Sequence, residues 1–358
     1  MRCVVYYHID KFVVVFHSGW IMKADIRPED RGETVSLMEP LLLGGSSRHR
    51  EMLADLALDL AQKSAGFKNS LPPSLLTSLA TLVRAMNCYY SNLIEGHDTH
   101  PIDIERALKD EFSQDAHKRD LQLEAKAHIH VQRWIDEGGL KSGKASSVEE
   151  IKEIHRRFCE LLPEDLLWVH PFLDGNGRVA RLMSHAMLLG TLDTGAVWSV
   201  ARGLARNVHE YKTLLANCDL PRRNDLDGRG NLGEEALAEF TRFFLTVCID
   251  QVNFMEGLMQ PDRLRTRILL WAEEEIRLGL LPPKSGAILG AILYRGELPR
   301  GEADTIVGTG ERQARRIVSA LIEHGVLESE TPRGPLRLTF PAALGHRWMP
   351  GLFPEKVG

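Results

Sequence analysis

The sequence lacks, first, any apolar run that could carry it through a bilayer near its start. MRCVVYYHIDKFVVVFHSGWI is rich in apolar residues, but His8, Asp10, Lys11 and His17 break it. It also lacks the basic start, unbroken apolar stretch and small-residue cleavage site of a secretion signal. Because ordinary polar sequence begins at Met22, residues 1–21 read as an upstream-start extension. Cysteine is sparse: Cys3, Cys88, Cys159, Cys218 and Cys248 are odd in number and show no CxxC spacing. That pattern excludes a disulfide framework or a cysteine-built zinc site and fits reduced thiols in a cytoplasmic protein. Positive charge is not in excess either. A net charge of −5 argues against a chain that coats nucleic acid or anionic membrane along its length. Walker A, nucleophile-elbow and HExxH sequences are absent, which removes the commonest phosphate, acyl and zinc machinery. The histidines of HIH (128–130) are two apart, on poorly matched helix faces, and read as surface residues rather than metal ligands. His97 and His100 flank a helix start without a third ligand.

What is present is a chain with 44% hydrophobic and 26% charged residues, the balance of a soluble globular protein. Its 358 residues call for two domains and an extension. The pattern is mainly α. SRHREMLADLALDLAQKSA (47–65) is amphipathic, and in 71–96 Leu75, Leu76, Leu79, Leu82, Val83, Met86, Tyr90, Leu93 and Ile94 recur at three- and four-residue steps. Two prolines open that helix and Gly96 closes it. Further helices are expected at 118–137, 148–162, 178–190, 203–217 and 233–257, and no strand before residue 325. After Gln260, PDRLR marks a boundary. Beyond it, three short helices, with Gly308 and Gly310 in a tight turn, precede two short strands around a Pro-Gly turn. This resembles a winged helix-turn-helix, with 310–324 as recognition helix and Thr331–Pro335 as wing. Residues 281–340 hold eight Lys/Arg against seven acids, so the module has no strongly basic face. Arg312, Arg315 and Arg316 cluster on the third helix as candidate DNA contacts; dimerisation or protein docking is the other use of such a module.

The most informative stretch is HPFLDGNGRVAR, His170 to Arg181. Gly175 and Gly177 permit backbone conformations that turn successive N–H groups inward as an anion nest. A helix follows at once, with Val179, Leu182, Met183, Ala186 and Leu189 on its buried side, so its N-terminal dipole end faces the same spot. Asn176 adds an amide. Arg178 and Arg181, three apart, offer two guanidinium forks to a polyphosphate. Asp174 beside phosphate calls for a bridging Mg²⁺. His170 remains as the residue to move a proton.

At every specified position this stretch resembles the Fic family signature, HPFx(D/E)GNGRxxR, and the resemblance extends over roughly 70–258. It implies an all-helical core and protein adenylylation, the transfer of AMP from Mg-ATP to a Ser, Thr or Tyr hydroxyl of a target protein. It implies His170 as the base for the target hydroxyl and Asp174 as the Mg²⁺ ligand. By the same resemblance Gly175, Asn176 and Gly177 bind the α- and β-phosphates, Arg178 and Arg181 neutralise the β/γ end, and Asn207 and Tyr211 line the base pocket.

SNLIEG (91–96) places Glu95 at a helix C-terminus, where the dipole disfavours a negative charge unless water or a cation attends it. It resembles the family's inhibitory pattern, (S/T)xxxE(G/N). The resemblance implies that Glu95 pairs with Arg181 in the space of the ATP γ-phosphate, with Ser91 as a further polar contact. One departure stands against the family pattern. Only LLPEDLLWV (161–169) separates the helix containing Ile154 from His170, too short for the target-holding hairpin flap and the helix that relatives carry there.

The resulting expectation is a small extension (1–21), an N-terminal helical arm (22–70), a Fic core (71–258, inhibitory helix 72–95, motif 170–181) and a winged helix-turn-helix (262–350). The expected activity is a cytoplasmic, ATP- and Mg²⁺-dependent protein adenylyltransferase restrained by Glu95. Its expected partners are a protein substrate, the chain itself, DNA through the winged helix and a second copy in a homodimer, with no membrane. Two alternatives stand beside it. One is a DNA-binding regulator whose shortened Fic core senses nucleotide; the other is a related chemistry with a different transferred group or hydrolytic removal of AMP.

Overall fold

Helices dominate because apolar residues recur at helical spacing and capping residues mark the starts. In the computed structural model the described residues are 45–140, 145–162, 176–218 and 233–354, with Leu43, a few single residues between 219 and 232, and four residue pairs within 3–16. The helices among them are α1 (Arg50–Asn69), α2 (Pro73–Ile94), α3 (Pro101–Leu108), α4 (Ala116–Asp136), α5 (Val148–Glu160), α6 (Asn176–Leu192), α7 (Val200–Arg206) and α8 (Val208–Asn217). They continue with α9 (Glu234–Met259), α10 (Pro261–Arg277), α11 (Ser285–Arg295), α12 (Ala303–Val307), α13 (Glu311–Glu323) and α14 (Gly345–Trp348), and the two-residue strands β1 (Cys3–Val4), β2 (Tyr7–His8), β3 (Lys11–Phe12) and β4 (Val15–Phe16) precede them all. The fold is mainly α with a small β part. No helix among the described residues is long and apolar enough to cross a membrane.

The chain divides into two compact units. Residues 1–65 and 87–251 form the first, and 66–86 with 252–358 form the second, so α2 contributes residues to both. In the first unit the helix starts are written locally. Asp115 accepts a hydrogen bond from the Lys118 N–H at 2.9 Å to cap α4, and Ser147 caps α5 through the Glu150 N–H at 3.3 Å. The core over which α4, α5 and α6 meet contains Val131, Ile135, Ile154, Phe158, Val179, Leu182, Met183 and Ala186, all buried. This is the apolar side anticipated for α6. The single helix expected over 203–217 is instead two, α7 and α8. Asn207 breaks them at φ −119°, ψ 35°, and its side-chain amide donates to the Gly203 carbonyl at 2.9 Å. The sequence pattern passed over α3 and α10, both of which begin at a proline in the first helical position.

The second unit contains α11, α12 and α13 and a three-stranded antiparallel sheet of β5 (Glu297–Leu298), β6 (Leu327–Glu328) and β7 (Leu336–Leu338), in the order β5-β7-β6. Gly308 takes the left-handed conformation, φ 59°, that ends α12, and Gly310 precedes α13 in extended conformation. Strands do occur before residue 325, contrary to expectation. β5 is one. Its two residues are too short for a period-two pattern, and pairing with β7 (Leu298 opposite Leu336) makes it a strand. The others are the pairs Cys3–Val4 with Val15–Phe16 and Tyr7–His8 with Lys11–Phe12. Cys88, Cys159, Cys218 and Cys248 are free thiols.

The α7–α9 contact depends on an absent side chain. A Cβ on Gly203 would lie 2.3 Å from Val247 Cγ1 and 2.9 Å from Gln251 Cγ. Val247 is buried and β-branched, so it has little room to turn aside. Gly203→Ala is expected to destabilise the protein by about 1–3 kcal/mol through overpacking, despite alanine's better helix propensity. Urea unfolding would measure this, and an unchanged or raised midpoint would refute the close-approach role of Gly203.

Candidate active site

The site is built on one polar face of α6. Arg178, Arg181 and His185 follow one another at three- and four-residue steps, and each meets a carboxylate from a neighbouring helix region. The Arg178 guanidinium donates to Glu124 Oε2 of α4 at 2.6 Å. Arg181 Nη2 donates to Glu95 Oε1 at 2.6 Å, just beyond the end of α2. His185 Nε2 lies 2.7 Å from Asp136 Oδ1 at the end of α4. The facing helices carry matching stripes at four-residue spacing: Asn87, Ser91 and Glu95 from α2 and its cap, and Glu124, His128, Gln132 and Asp136 from α4. Buried polar groups are tolerated when partnered, and this seam partners most of its own.

Glu95 is held in place by the way α2 ends. Gly96 adopts φ 88°, its N–H donates to the Leu93 carbonyl at 3.1 Å, and the His97 N–H donates to the Asn92 carbonyl at 2.9 Å. These two bonds are the Schellman arrangement of a glycine-ended helix, and they put Glu95 at the cap itself. Arg181 is gripped there three times. Besides Glu95, its Nε donates to Ser91 Oγ at 2.8 Å, and Nη2 also donates to the Ser91 carbonyl at 3.1 Å. Arg181 is 3% exposed. Burial raises the Glu95 carboxyl pKa, but the Arg181 ion pair and hydrogen bond, with Arg178 and Lys212 nearby, more than offset it and hold the group below its ordinary value.

The Glu95 carboxylate also stands directly over the start of α6. A Cβ placed on Gly177 would lie 2.3 Å from Glu95 Oε1 and 3.0 Å from Arg181 Nη1. Glycine at 177 therefore lets an anionic oxygen approach the backbone of the helix's first turn, and the oxygen there is the protein's own.

The remaining expected residues are distributed as follows. His170, Asp174 and Gly175 lie outside the described residues, as do 163–169. Asn176 begins α6. Tyr211 is buried and hydrogen-bonded to Arg181, and its ring is tilted against Phe240 at 6.4 Å. Burial is the main cause that raises its phenol pKa. Asn207 is exposed at the α7–α8 junction. Arg312, Arg315 and Arg316 are exposed on α13 in the second unit, with Arg315 paired to Glu311. Among the described residues no group of three or more His, Cys, Asp or Glu is arranged to hold a metal ion.

Several residues of the seam were not anticipated. His128, expected at the surface, is 1% exposed, whereas His130 is exposed. The reason is register: 128 falls in line with Glu124, Gln132 and Asp136, the stripe that α4 turns toward α6. His97 Nδ1 lies 3.2 Å from Glu124 Oε2, the oxygen that also receives Arg178. The detectable signal was the four-residue repeat of polar side chains inside otherwise apolar helix faces.

With the geometry in view, the comparison with known families identifies the segment. Residues 161–188 match the Fic/DOC family model, so the chain carries a Fic-type segment spanning the approach to α6 and most of that helix. No curated protein matches the chain.

His128 supplies a pH test of the seam. Burial, and then the charges of Arg181, Arg178 and His185, push its pKa from 6.5 down to about 3. The folded protein thus keeps it neutral while the unfolded chain protonates it below 6.5, so its effect is to lower stability progressively as pH falls from 6.5 toward 3. His128→Gln is expected to show a shallower loss of urea stability between pH 7 and pH 4.5 than the parent. Identical slopes would show that His128 is not held neutral.

Proposed function

We propose that the chain is a protein adenylyltransferase of the Fic type, restrained by Glu95. The observation that carries this reading is the position of the Glu95 carboxylate: bound to Arg181 and set against Gly177, both of which lie in the segment 161–188 that matches the Fic/DOC family. A carboxylate oxygen held at a helix N-terminus and clamped by arginine occupies the kind of place a phosphate oxygen would take. The described part of the site therefore fits a polyphosphate once Glu95 withdraws.

Bound Mg-ATP would supply an activated AMP group, and its transfer to a hydroxyl would release pyrophosphate. In this reading His170 takes the proton from the attacking Ser, Thr or Tyr hydroxyl, and Asp174 holds Mg²⁺. Gly175, Asn176 and Gly177 bind phosphate through backbone N–H groups and the Asn176 amide. Arg181, freed from Glu95, receives the terminal phosphate, while Tyr211 and Ser91 orient it. The nine residues from Leu161 to Val169 are too few for both the hairpin flap and the helix of the family pattern. Target positioning would then fall to other surfaces, and self-modification becomes the simplest reaction to look for.

A second reading, a DNA-binding regulator with a nucleotide-sensing core, draws on the second unit. Three helices and a three-stranded sheet in this order resemble a winged helix, and Arg312 and Arg316 are exposed on α13.

Transfer of α-labelled AMP from Mg-ATP, measured in the parent, Glu95→Gly, His170→Ala and the double variant, tests the first reading. Glu95→Gly is expected to raise labelling about ten- to hundredfold, the range for removing a charge-assisted bond. Adding His170→Ala should lower it again by about 10²–10⁴-fold, the usual contribution of a general base. Equal labelling in parent and Glu95→Gly would remove the brake, and labelling that survives His170→Ala would remove the assigned base. For the second reading, duplex DNA binding should weaken steeply with salt, and Arg312→Ala with Arg316→Ala should flatten that slope. Absence of salt-dependent binding would dismiss it.

A further inference from the structure

The two arginines of the helical motif are held by different kinds of partner. The Arg178 guanidinium is 1% exposed, and its carboxylate partner, Glu124, is 6% exposed in the body of α4. The same Glu124 oxygen is met by His97, and the Arg178 guanidinium lies 5.8 Å from the centre of the Phe158 ring. Burial raises the Glu124 carboxyl pKa, yet His97 and Arg178 together hold it below its ordinary value, so it stays a charged partner. Arg181 is equally buried, but its partner Glu95 is 25% exposed and sits on the cap of α2.

What must move to free each cation therefore differs. Turning one half-buried side chain at a helix end takes the carboxylate away from Arg181, whose bonds to Ser91 can stay in place. Releasing Arg178 requires withdrawing a buried carboxylate from the middle of a helix whose other residues, Val131 and Ile135 among them, build the core. A phosphate brought to Arg178 would also face the Glu124 charge at close range, and like charges in a buried site repel strongly.

We propose that Glu124 is a positioning residue that takes Arg178 out of phosphate binding and uses it to fix the first turn of α6, leaving Arg181 as the arginine that answers to nucleotide. This inference rests on the nucleotide-binding reading above. It departs from the even division of phosphate contacts between the two arginines that the motif alone implies. Arg178 is a strut between α4 and α6, and Arg181 is the arm that exchanges Glu95 for phosphate.

The test uses the full chain in the Glu95→Gly background, with Mg-ATP binding followed by calorimetry and AMP transfer followed by label. One variant adds Arg181→Met. The other adds Arg178→Met together with Glu124→Gln, so that neither member of the buried pair is left charged alone, and a cooperative thermal transition confirms that it folds. Arg181→Met is expected to weaken Mg-ATP binding by about tenfold or more, as loss of a charge-assisted contact does. The neutralised pair is expected to keep its Kd within about threefold but lose about tenfold in kcat with KM held, because the nest is less firmly oriented. A tenfold loss of affinity in the neutralised pair would make Arg178 a phosphate ligand and overturn the proposal. Unchanged kcat in that variant would overturn the positioning role. If Glu95→Gly itself bound no Mg-ATP, the nucleotide reading would fail first and this inference with it.

Discussion

The ion pair between Arg181 and Glu95 is the constraint around which the described site is organised. It joins the end of α2 to the second turn of α6, and it does so in a buried setting where an unpaired charge would cost several kcal/mol. Everything nearby serves to make that pairing specific. The left-handed Gly96 stops α2 at the residue that carries the carboxylate, Ser91 one turn earlier takes the Nε–H, and Gly177 leaves space for the carboxylate oxygen. Tyr211 completes the enclosure from α8. Glu95 is the more exposed member of the pair, 25% against 3% for Arg181.

That local arrangement belongs to a longer seam. α6 presents Arg178, Arg181 and His185, and each side chain has its own carboxylate partner: Glu124, Glu95 and Asp136. From His185 the seam continues through Gln132 and Asn87 to Ser199, whose hydroxyl donates to Asn87 at 2.6 Å and caps α7 through the Arg202 N–H at 3.1 Å. A buried polar network of this kind contributes little net stability over an apolar equivalent, but it penalises any slip in helix register by stranding charges. The apolar face of α6, with Val179, Leu182, Met183 and Ala186, supplies the burial; the polar face sets the rotation. One helix therefore carries both faces, with the Glu95 pair near its N-terminal end and the Asp136 pair further along.

The second unit makes a different kind of sense. Its short strands are held by pairing rather than by strong local preference: Arg337 of β7 donates to Glu297 opposite it at 3.0 Å and also reaches Glu330. Lys284, in left-handed conformation at the start of α11, donates through Nζ to the Val307 carbonyl at 2.8 Å, which ties α11 to the end of α12. These contacts explain how a small β part persists beside short helices.

Much of the fold was legible in the sequence, because amphipathic spacing and end signals act locally. α1, α2, α4, α5, α6 and α9 lie close to where periodicity put them, and HPFLDGNGRVAR and SNLIEG announced the motif and the carboxylate facing it. Local signals failed where the outcome depended on neighbours. Asn207 divides what periodicity read as one helix, β5 is a strand only through β7, and His128 is interior only because α4 turns it toward α6. The carboxylate partner of Arg178 was likewise invisible, since Glu124 lies 54 residues away and nothing in the intervening sequence links them. The sequence by itself determined which residues can form helices and which chemistry the motif can support, since both depend on side-chain type and short-range spacing. Only the tertiary structure decided which carboxylate meets which arginine, since that choice rests on helix rotation, burial and distance across the chain.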